Sequence, residues 1–529
     1  MQQLHTLEGL QCCLAAWRQP AQAINAPEIT PEIISVGLVP TMGALHAGHL
    51  SLIQRARQDN DRVIVSIFVN PLQFGPGEDL DRYPRPLASD LGQCEAAGVD
   101  AVFCPSPTAL YGTASPGAAA LTQVMPPPAL TKHLCGPHRP GHFAGVTTVV
   151  TKLLALVLPT RAYFGQKDAQ QLAILQQLVM DLNLPVTVVG CPIVREADGL
   201  ALSSRNQYLS TEERSQAIAL FQGLQAAKQA FDQGERQAEL LLQSVTAVLA
   251  TAPLVRPQYV ELVHPHTLVP LTSIKSDGLL AIAAHLGQTR LIDNMVLRSR
   301  RPIIAIDGPA GAGKSTVARR VAEDLGLLYL DSGAMYRAVT WRVLEAGIEP
   351  TDEVAVAELL SDCEIRLGAN PSQGGQPSPS RVWVNGQEVT QAVRTATVTA
   401  QVSTVAAQPM VRQVLLRQQQ GYGHEGGLVM EGRDIGTHVF PEAELKIFLT
   451  ASVQERARRR RQDLAHQNQP TISLEDLERA IDERDRKDST RRIAPLRKAE
   501  DAIELITDGL TIEQVVDKIV GLYSAGPVA

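Results

Sequence analysis

Apolar and polar positions along this chain follow two periods in turn, short β-like runs and longer helical ones. Residues 33–39 form an apolar run of strand length that leads into the polar stretch 40–49, and residues 50–57 return to a helical period. Residues 63–69 predict the next strand, which ends in Asn70-Pro71-Leu72-Gln73-Phe74. Helices are expected over 87–97, 146–158 and 169–182, and strands over 101–104, 162–164 and 186–189. Strands alternating with helices predict a doubly wound parallel sheet. Ligands of such sheets gather beyond the carboxyl ends of the strands, and the polar clusters 41–49, 70–73 and 165–168 fall there. After Asn206 the texture changes to helical patterns over 211–233 and 237–250, strands over 259–263 and 279–284, and a closing run Leu291-Ile292-Asp293-Asn294.

The alternation starts afresh beyond Arg298-Ser299-Arg300-Arg301-Pro302, read as a five-residue basic junction (298–302). Residues 303–307 predict a buried strand, followed by Gly308-Pro309-Ala310-Gly311-Ala312-Gly313-Lys314-Ser315 and a helical period over 316–322. The glycine turn fits G-x-x-x-x-G-K-[ST] between a strand and a helix, the setting in which backbone N–H groups cradle phosphates. Lys314 is then expected at the β- and γ-phosphates and the Ser315 hydroxyl on Mg²⁺. A second strand over 328–330 precedes Asp331-Ser332-Gly333-Ala334-Met335-Tyr336-Arg337. Residues 369–380 are rich in Gly, Pro, Ser and Gln and read as a loop. Residues 381–384 and 387–389 predict a hairpin about Asn385-Gly386. Residues 428–430 predict a strand ending in Glu431-Gly432-Arg433-Asp434, and 445–449 are read as the last core strand. The segment 455–498 is dense in arginine (Arg456, Arg459, Arg484, Arg486, Arg491, Arg492), with Glu455, Glu478, Glu483 and Asp485 interleaved. It reads either as a charged helix face or as a set of phosphate clamps.

Composition narrows the class. With 529 residues, 44% hydrophobic and 19% charged, the chain is of ordinary globular make-up and long enough for several domains. A net charge of −7 argues against a general nucleic-acid binder. The seven cysteines are scattered without CxxC spacing, which argues against a disulfide framework or a zinc site and fits a reducing cytoplasm. Residues 1–10 lack the basic flank and apolar core of a leader, and no apolar run approaches membrane-spanning length.

His46 and His49, three apart at a helix start, place two imidazoles on one side beside anion-binding N–H groups. That arrangement suits stabilising charge on a phosphate under attack. A lone pair at this spacing also suits surface or core positions, and zinc would need a third ligand that no nearby spacing supplies. The neighbouring stretches are Arg139-Pro140-Gly141-His142-Phe143, Gly165-Gln166-Lys167-Asp168-Ala169-Gln170-Gln171 and Asp198–Asn206, with Ser203-Ser204-Arg205 near its end. With these, residues 1–297 resemble the pantothenate synthetase family, pantoate–β-alanine ligases of the class I nucleotidyltransferase superfamily.

The resemblance implies a Rossmann-like nucleotide-binding subdomain (1–190) and a small α+β subdomain (191–297). It also implies a homodimer through this half. Pantoate would attack the α-phosphorus of ATP, and β-alanine would then displace AMP from pantoyl adenylate. ATP would be held by Met42, Gly43, Ala44, Leu45, His46, Ala47, Gly48, His49, Gly165, Gln166, Lys167, Asp168, Val194, Leu202, Ser203, Ser204 and Arg205. His49, His46 and Lys167 would be catalytic, and Gln73 and Gln171 would bind pantoate, with Gln73 also near β-alanine.

Residues 303–529 resemble the bacterial cytidylate kinases through Gly308–Thr316, Asp331–Ala334, the stretch 403–412, Glu431-Gly432-Arg433-Asp434-Ile435-Gly436 and the stretch 483–496. The resemblance implies a P-loop nucleoside monophosphate kinase domain. ATP with Mg²⁺ would sit at Gly308, Pro309, Ala310, Gly311, Ala312, Gly313, Lys314, Ser315 and Thr316. CMP or dCMP would sit at Ser332, Arg337, Ser403, Arg412, Arg433, Asp434 and Asp488, with Lys314, Arg484 and Arg491 acting in transfer. One departure is Glu431, where the family often carries Asp. Together the halves imply a cytoplasmic bifunctional α/β enzyme acting on small molecules, with neither nucleic acid nor membrane as partner. The alternative is an adenylating ligase regulated by a non-catalytic nucleotide-sensing P-loop module.

Overall fold

The computed structural model describes residues 1–18, 34–112, 121–368, 380–466, 473–491 and 494–524, with the side chains of 463, 465 and 466 left aside. Residues 369–379 of the loop predicted over 369–380, and Arg492, lie outside the described residues. The chain forms two compact units, Met1–Ser299 and Arg300–Ala529.

In the first unit six parallel strands make one sheet in the order β1-β4-β3-β2-β5-β6. They are β1 Gln2–Leu4, β2 Val36–Thr41, β3 Arg62–Ile67, β4 Ala101–Phe103, β5 Arg161–Gly165 and β6 Thr187–Cys191. Four successive residues of β2, Val36 to Val39, are buried, as a parallel strand covered on both faces requires. Strand order reverses between β2 and β5, the place where an open α/β sheet leaves a crevice at its carboxyl edge. Against the sequence expectation, the sheet has an outer strand, β1, followed by the helix Leu7–Arg18. Three residues are too short a run to carry a period, so pairing with β4 alone reveals the strand.

The rest of the unit is a three-stranded antiparallel sheet, β7 Val255–Val263, β8 Asp277–Leu286 and β9 Thr289–Arg298, under the helices Ala219–Asp232 and Ala238–Leu249. The single helix expected over 211–233 is two, Thr211–Ala217 and Ala219–Asp232. Ile218 between them keeps helical angles (φ −60°, ψ −22°), so the periodicity runs unbroken across the joint.

The second unit holds a five-stranded parallel sheet in the order β11-β15-β10-β16-β17. Its members are β10 Arg301–Asp307, β11 Leu328–Asp331, β15 Gly426–Gly432, β16 Leu445–Thr450 and β17 Ile503–Ile506. β10, buried from Ile303 to Asp307, is the central strand and delivers the glycine turn. A small antiparallel sheet, β12 Ile365–Gly368, β13 Arg381–Val384 and β14 Gln387–Glu388, turns at Asn385 (φ 49°) and Gly386 (φ 82°). Both turn residues have positive φ, as a two-residue hairpin of matching twist requires. The reading of 445–449 as the last core strand is corrected by β17, which pairs with β16 at the sheet edge. Its four residues alternate half-buried and exposed, too weak a pattern to announce a strand.

Candidate active sites

In the first unit, β2 ends at Thr41 and the chain turns through Gly43 (φ 80°) and Ala44 (φ 50°) into the helix Ala47–Asp59. Asp90, almost fully buried, holds this turn. Its carboxylate accepts Ala44 N at 2.9 Å and Leu45 N at 2.8 Å. A Cβ on Gly43 would lie 2.9 Å from that carboxylate, so the turn admits glycine alone without rearrangement. Sequence reading missed Asp90. Its signal is a lone acid on the same helix face as Cys94 and Ala97.

His46 caps the helix, its Nδ1 accepting Gly48 N at 3.1 Å. A neutral ring that accepts at Nδ1 carries its proton on Nε2, a donor free of the cap. The His46 and His49 rings lie 4.1 Å apart. Burial and the Lys167 charge push His46 down to about 4. Burial, His46 and Lys167 push His49 down to about 3. Both imidazoles are therefore neutral at pH 7, and His49 Nδ1 is buried without a hydrogen-bond partner.

Gln73 sits in the turn Pro71–Gln73, its amide reaching Met42 Sδ at 2.8 Å and its Oε1 accepting Asn70 Nδ2 at 3.2 Å. Asn70 is fixed in turn by the Tyr111 hydroxyl at 2.8 Å. His142 Nδ1 donates to Gln73 O at 2.8 Å while Nε2 accepts from Arg139 at 2.9 Å, a single neutral tautomer. Burial and Arg139 push His142 down to about 4. Arg139 is held by Glu78 through Nε and Nη2, at 2.8 and 2.5 Å.

β5 ends in the turn Gln166–Asp168, and one cavity is lined by Arg139, His142, Lys167, Asp168, Gln171, Ser203 and Arg205 with Tyr259, Arg290, Asp293 and Asn294. Val194 O accepts Leu202 N at 3.0 Å, and Leu202 Cβ would lie 3.9 Å from a Cβ on Gly48. Arg205 clasps Asp79 through two bonds, 2.8 and 2.9 Å, and Ser204 bonds the Tyr83 hydroxyl at 3.2 Å. Lys167, Asp168, Gln171, Ser203 and Arg205 thus share one cavity, the Lys167 charge is felt at His46 and His49, and Arg205 is already paired with Asp79.

The three histidines have a consequence for stability. All are held below the ordinary 6.5, so the unfolded chain binds more protons between about 6.5 and about 4. Stability therefore falls as pH drops through that window. The unfolding midpoint is expected to decline from pH 7 to pH 4, and less steeply in a His49→Asn/His142→Asn variant. Identical profiles for the two proteins would show that these rings titrate as freely folded as unfolded.

In the second unit the glycine turn is pressed against its surroundings. Gly308 (φ 146°) would place a Cβ 1.9 Å from Leu449 O, and Gly311 (φ 78°) and Gly313 (φ 87°) complete the turn into the helix Lys314–Leu325. Lys314 Nζ, buried, donates to Pro309 O at 2.7 Å. Burial and Arg433 push it down to about 7, with Glu431 and Asp307 working the other way. Glu431 is raised by burial and by Asp331. Its carboxylate takes hydrogen bonds from Ser315 and Tyr329. Asp307, the last residue of β10, accepts Ile435 N at 2.8 Å and Gly436 N at 2.7 Å. Burial nonetheless holds it up at about 6.

Ser332 Oγ donates to Glu431 O at 2.7 Å. Asp434 bonds Arg412 at 3.0 Å in a buried pair and faces Arg491 at 3.6 Å. Burial works to raise Asp434, but Arg412, Arg491 and His438 outweigh it and hold it low. Asp488 bonds Arg433 at 2.9 Å and faces Arg491 at 3.8 Å. Arg484 is lowered by burial and by Arg433, with Arg337 also repelling it. These arginines outnumber Asp434 and Asp488, leaving Arg491 Nη2 and Arg412 Nε buried without hydrogen-bond partners. An oxyanion is what such a cluster lacks. Ser403 is exposed on the helix Ala396–Ala407 and stands outside this network. Of the other arginines in the dense stretch, Arg456 is structural, tying Ala310 O at 3.1 Å to Asp485 at 2.6 Å.

Comparison with known proteins agrees with this geometry unit by unit. A pantoate-β-alanine ligase family model matches residues 8–296, and a cytidylate kinase model matches residues 304–525. A bifunctional pantoate ligase/cytidylate kinase of Trichormus variabilis is 58% identical, covering 99% of each chain. One of Synechococcus elongatus is also 58% identical, covering 99% of this chain and 95% of its own. The crystal structure of pantothenate synthetase from Thermus thermophilus has 43% identity and a TM-score of 0.50, covering 56% of this chain and 99% of that one.

Proposed function

The chain belongs to the bifunctional pantoate ligase/cytidylate kinase family, and from that premise we infer where each of its two reactions takes place. It is an ATP-using ligase joining pantoate to β-alanine and a kinase of cytidylate. The non-catalytic sensor reading is not favoured, because relatives alike over the full length are named for both activities. The observation that carries the assignment is that each unit has its own phosphate-grade site: neutral His46 and His49 beside Lys167 in one, and the glycine turn facing an arginine cluster in the other.

We assign ligation to residues 1–297 and phosphoryl transfer to residues 303–529. In the ligase, pantoate held by Gln73 and Gln171 attacks the α-phosphorus. His46 and His49 donate hydrogen bonds to the charge that develops, and Lys167 and Arg205 take the departing pyrophosphate. Neutral imidazoles can donate without losing a full charge of their own. β-Alanine then attacks pantoyl adenylate near Gln73. This half is also assigned a homodimer on family resemblance.

In the kinase, Gly308–Thr316 cradle ATP and Lys314 bridges its outer phosphates. Arg337 and Arg433 place the CMP phosphate end, with Ser332 and the Arg433-paired Asp488 as further CMP contacts, and Arg412, Asp434 and Ser403 read the base or sugar. Arg484 and Arg491 neutralise the transferring group. Mg²⁺ fits the Ser315 hydroxyl with Glu431 behind it, since this ion takes few protein oxygens and completes its shell from phosphates and water. When bound, the ion would supply charge neutralisation to the nucleotide phosphates. The longer Glu431 fills the place of the family's usual Asp. Among the described residues no helix is long and apolar enough to cross a membrane. We place the protein in the cytoplasm on a separate ground, the fit of its scattered cysteines to a reducing compartment.

One sample should therefore form pantothenate from pantoate, β-alanine and ATP, and CDP from CMP and ATP. UMP should be the poorer acceptor by about a hundredfold or more in kcat/KM, because its base inverts the donor and acceptor pattern a buried polar site reads. Equal values for CMP and UMP would overturn the placing of Arg412 and Asp434 at the base.

A further inference from the structure

Asp293 and Asn294 interrupt β9, where Leu291, Ile292, Met295, Val296 and Leu297 are apolar. Both are buried, and a buried polar doublet in a strand is unfavourable unless each group is paired. Each is. Asp293 accepts Arg195 through two bonds, 2.6 and 2.9 Å, and its carboxylate also takes Asn294 N at 2.8 Å. The Asn294 side-chain amide then donates to two carbonyls of the β5 turn, Gln166 O at 3.0 Å and Lys167 O at 2.8 Å. The Arg195 guanidinium carbon lies over the Phe221 ring, 4.4 Å from its centroid. Arg195 also pairs with Ala201 at the start of the segment that continues into Leu202–Arg205. One node thus registers two pieces of backbone that carry the cations of the cavity, Lys167 and Arg205.

We propose that Asn294 is a positioning residue for the first chemical step of the ligase, acting through Lys167. This rests on the assignment of Lys167 to the departing pyrophosphate. In that step a pantoate carboxylate oxygen forms a bond to the α-phosphorus. The bond from that phosphorus to the bridging oxygen breaks, and its electron pair leaves with pyrophosphate. A cation must already stand at the leaving oxygens, and a fixed turn places it there. The second step, attack of an amine on the adenylate carbonyl, expels AMP and makes no use of that cation. The node therefore serves adenylation and leaves aminolysis untouched, a division that a merely structural contact would not make.

The test substitutes Asn294→Asp, which keeps shape but points an oxygen instead of a donor at two carbonyls. Asn294→Ala, which removes the donor and adds no charge, is the milder companion, and Lys167→Ala is the reference. All are assayed as full chains, with CDP formation in the same sample as the measure of chain concentration and retained aminolysis as the measure of a folded ligase unit. For Asn294→Asp, pyrophosphate release driven by pantoate and ATP should fall about tenfold to a hundredfold in kcat, the scale of a roughly 1 Å misplacement. KM for pantoate and conversion of supplied pantoyl adenylate with β-alanine should stay within about threefold. Asn294→Ala should show the same split at smaller size. Equal loss in both half-reactions, or loss in neither, overturns the proposal while Lys167→Ala still fails at adenylation. Normal adenylation in Lys167→Ala overturns the Lys167 assignment itself, and the role of Asn294 with it.

Discussion

Lys314→Ala is expected to slow CDP formation at least about a hundredfold, corresponding to about 3 kcal/mol of transition-state stabilisation, while pantothenate formation continues. The residue is buried at the first position of the helix that follows the glycine turn, and its Nζ rests on Pro309 O at 2.7 Å. Burial and Arg433 hold it at about 7, an unusually low value for a lysine awaiting an anion. Arrival of the nucleotide phosphates gives the ammonium the partner it lacks and favours its charged form. Alanine removes that charge and leaves the turn itself in place, because Gly308, Gly311 and Gly313 set its shape through positive φ. The measurement is initial rates of CDP and pantothenate formation on one preparation. A kinase rate within a few-fold of the parent would remove Lys314 from the transfer step.

His49→Ala is the mirror experiment. Pyrophosphate release from pantoate and ATP should fall by roughly a hundredfold, the effect of one polar group lost at a developing charge. CDP formation should persist. His49 sits one turn into the helix capped by His46, with the rings 4.1 Å apart, and its Nδ1 is buried without a partner. Alanine leaves Asp90 bonded to Ala44 N and Leu45 N, so the turn keeps its form and the loss reports on the ring. Normal pyrophosphate release would place the chemistry elsewhere in the unit.

What the sequence made legible is what local physics controls. Gly308, Gly311 and Gly313 have the positive φ that the phosphate turn demands, and Asn385-Gly386 turns its hairpin as expected. Apolar runs located β2, β3, β5, β10, β15 and β16 to within a few residues. What stayed hidden depends on partners far apart in the chain. Asp90 meets residues 44 and 45, Asp307 meets 435 and 436, and Asn294 meets 166 and 167. No period records such pairings, and a lone buried polar residue announces only that a partner exists. Ser403 shows the converse: a motif position identified by resemblance stands exposed, outside the ion pairs that join Arg412 to Asp434.

The last residue of β10 has one more consequence. Asp307 starts the bed on which the donor nucleotide would lie, and the same carboxylate pins the backbone after Asp434, the wall assigned to the acceptor. On that assignment one carboxylate at the end of a buried strand gauges the spacing of donor and acceptor. Adjustment is left to Arg484, in the second half of the helix Leu474–Thr490, and Arg491, just beyond its end. An attempt to retune the kinase for a larger acceptor should work on that clamp and leave the gauge alone. Shifting residue 307 would change the spacing of both nucleotides at once.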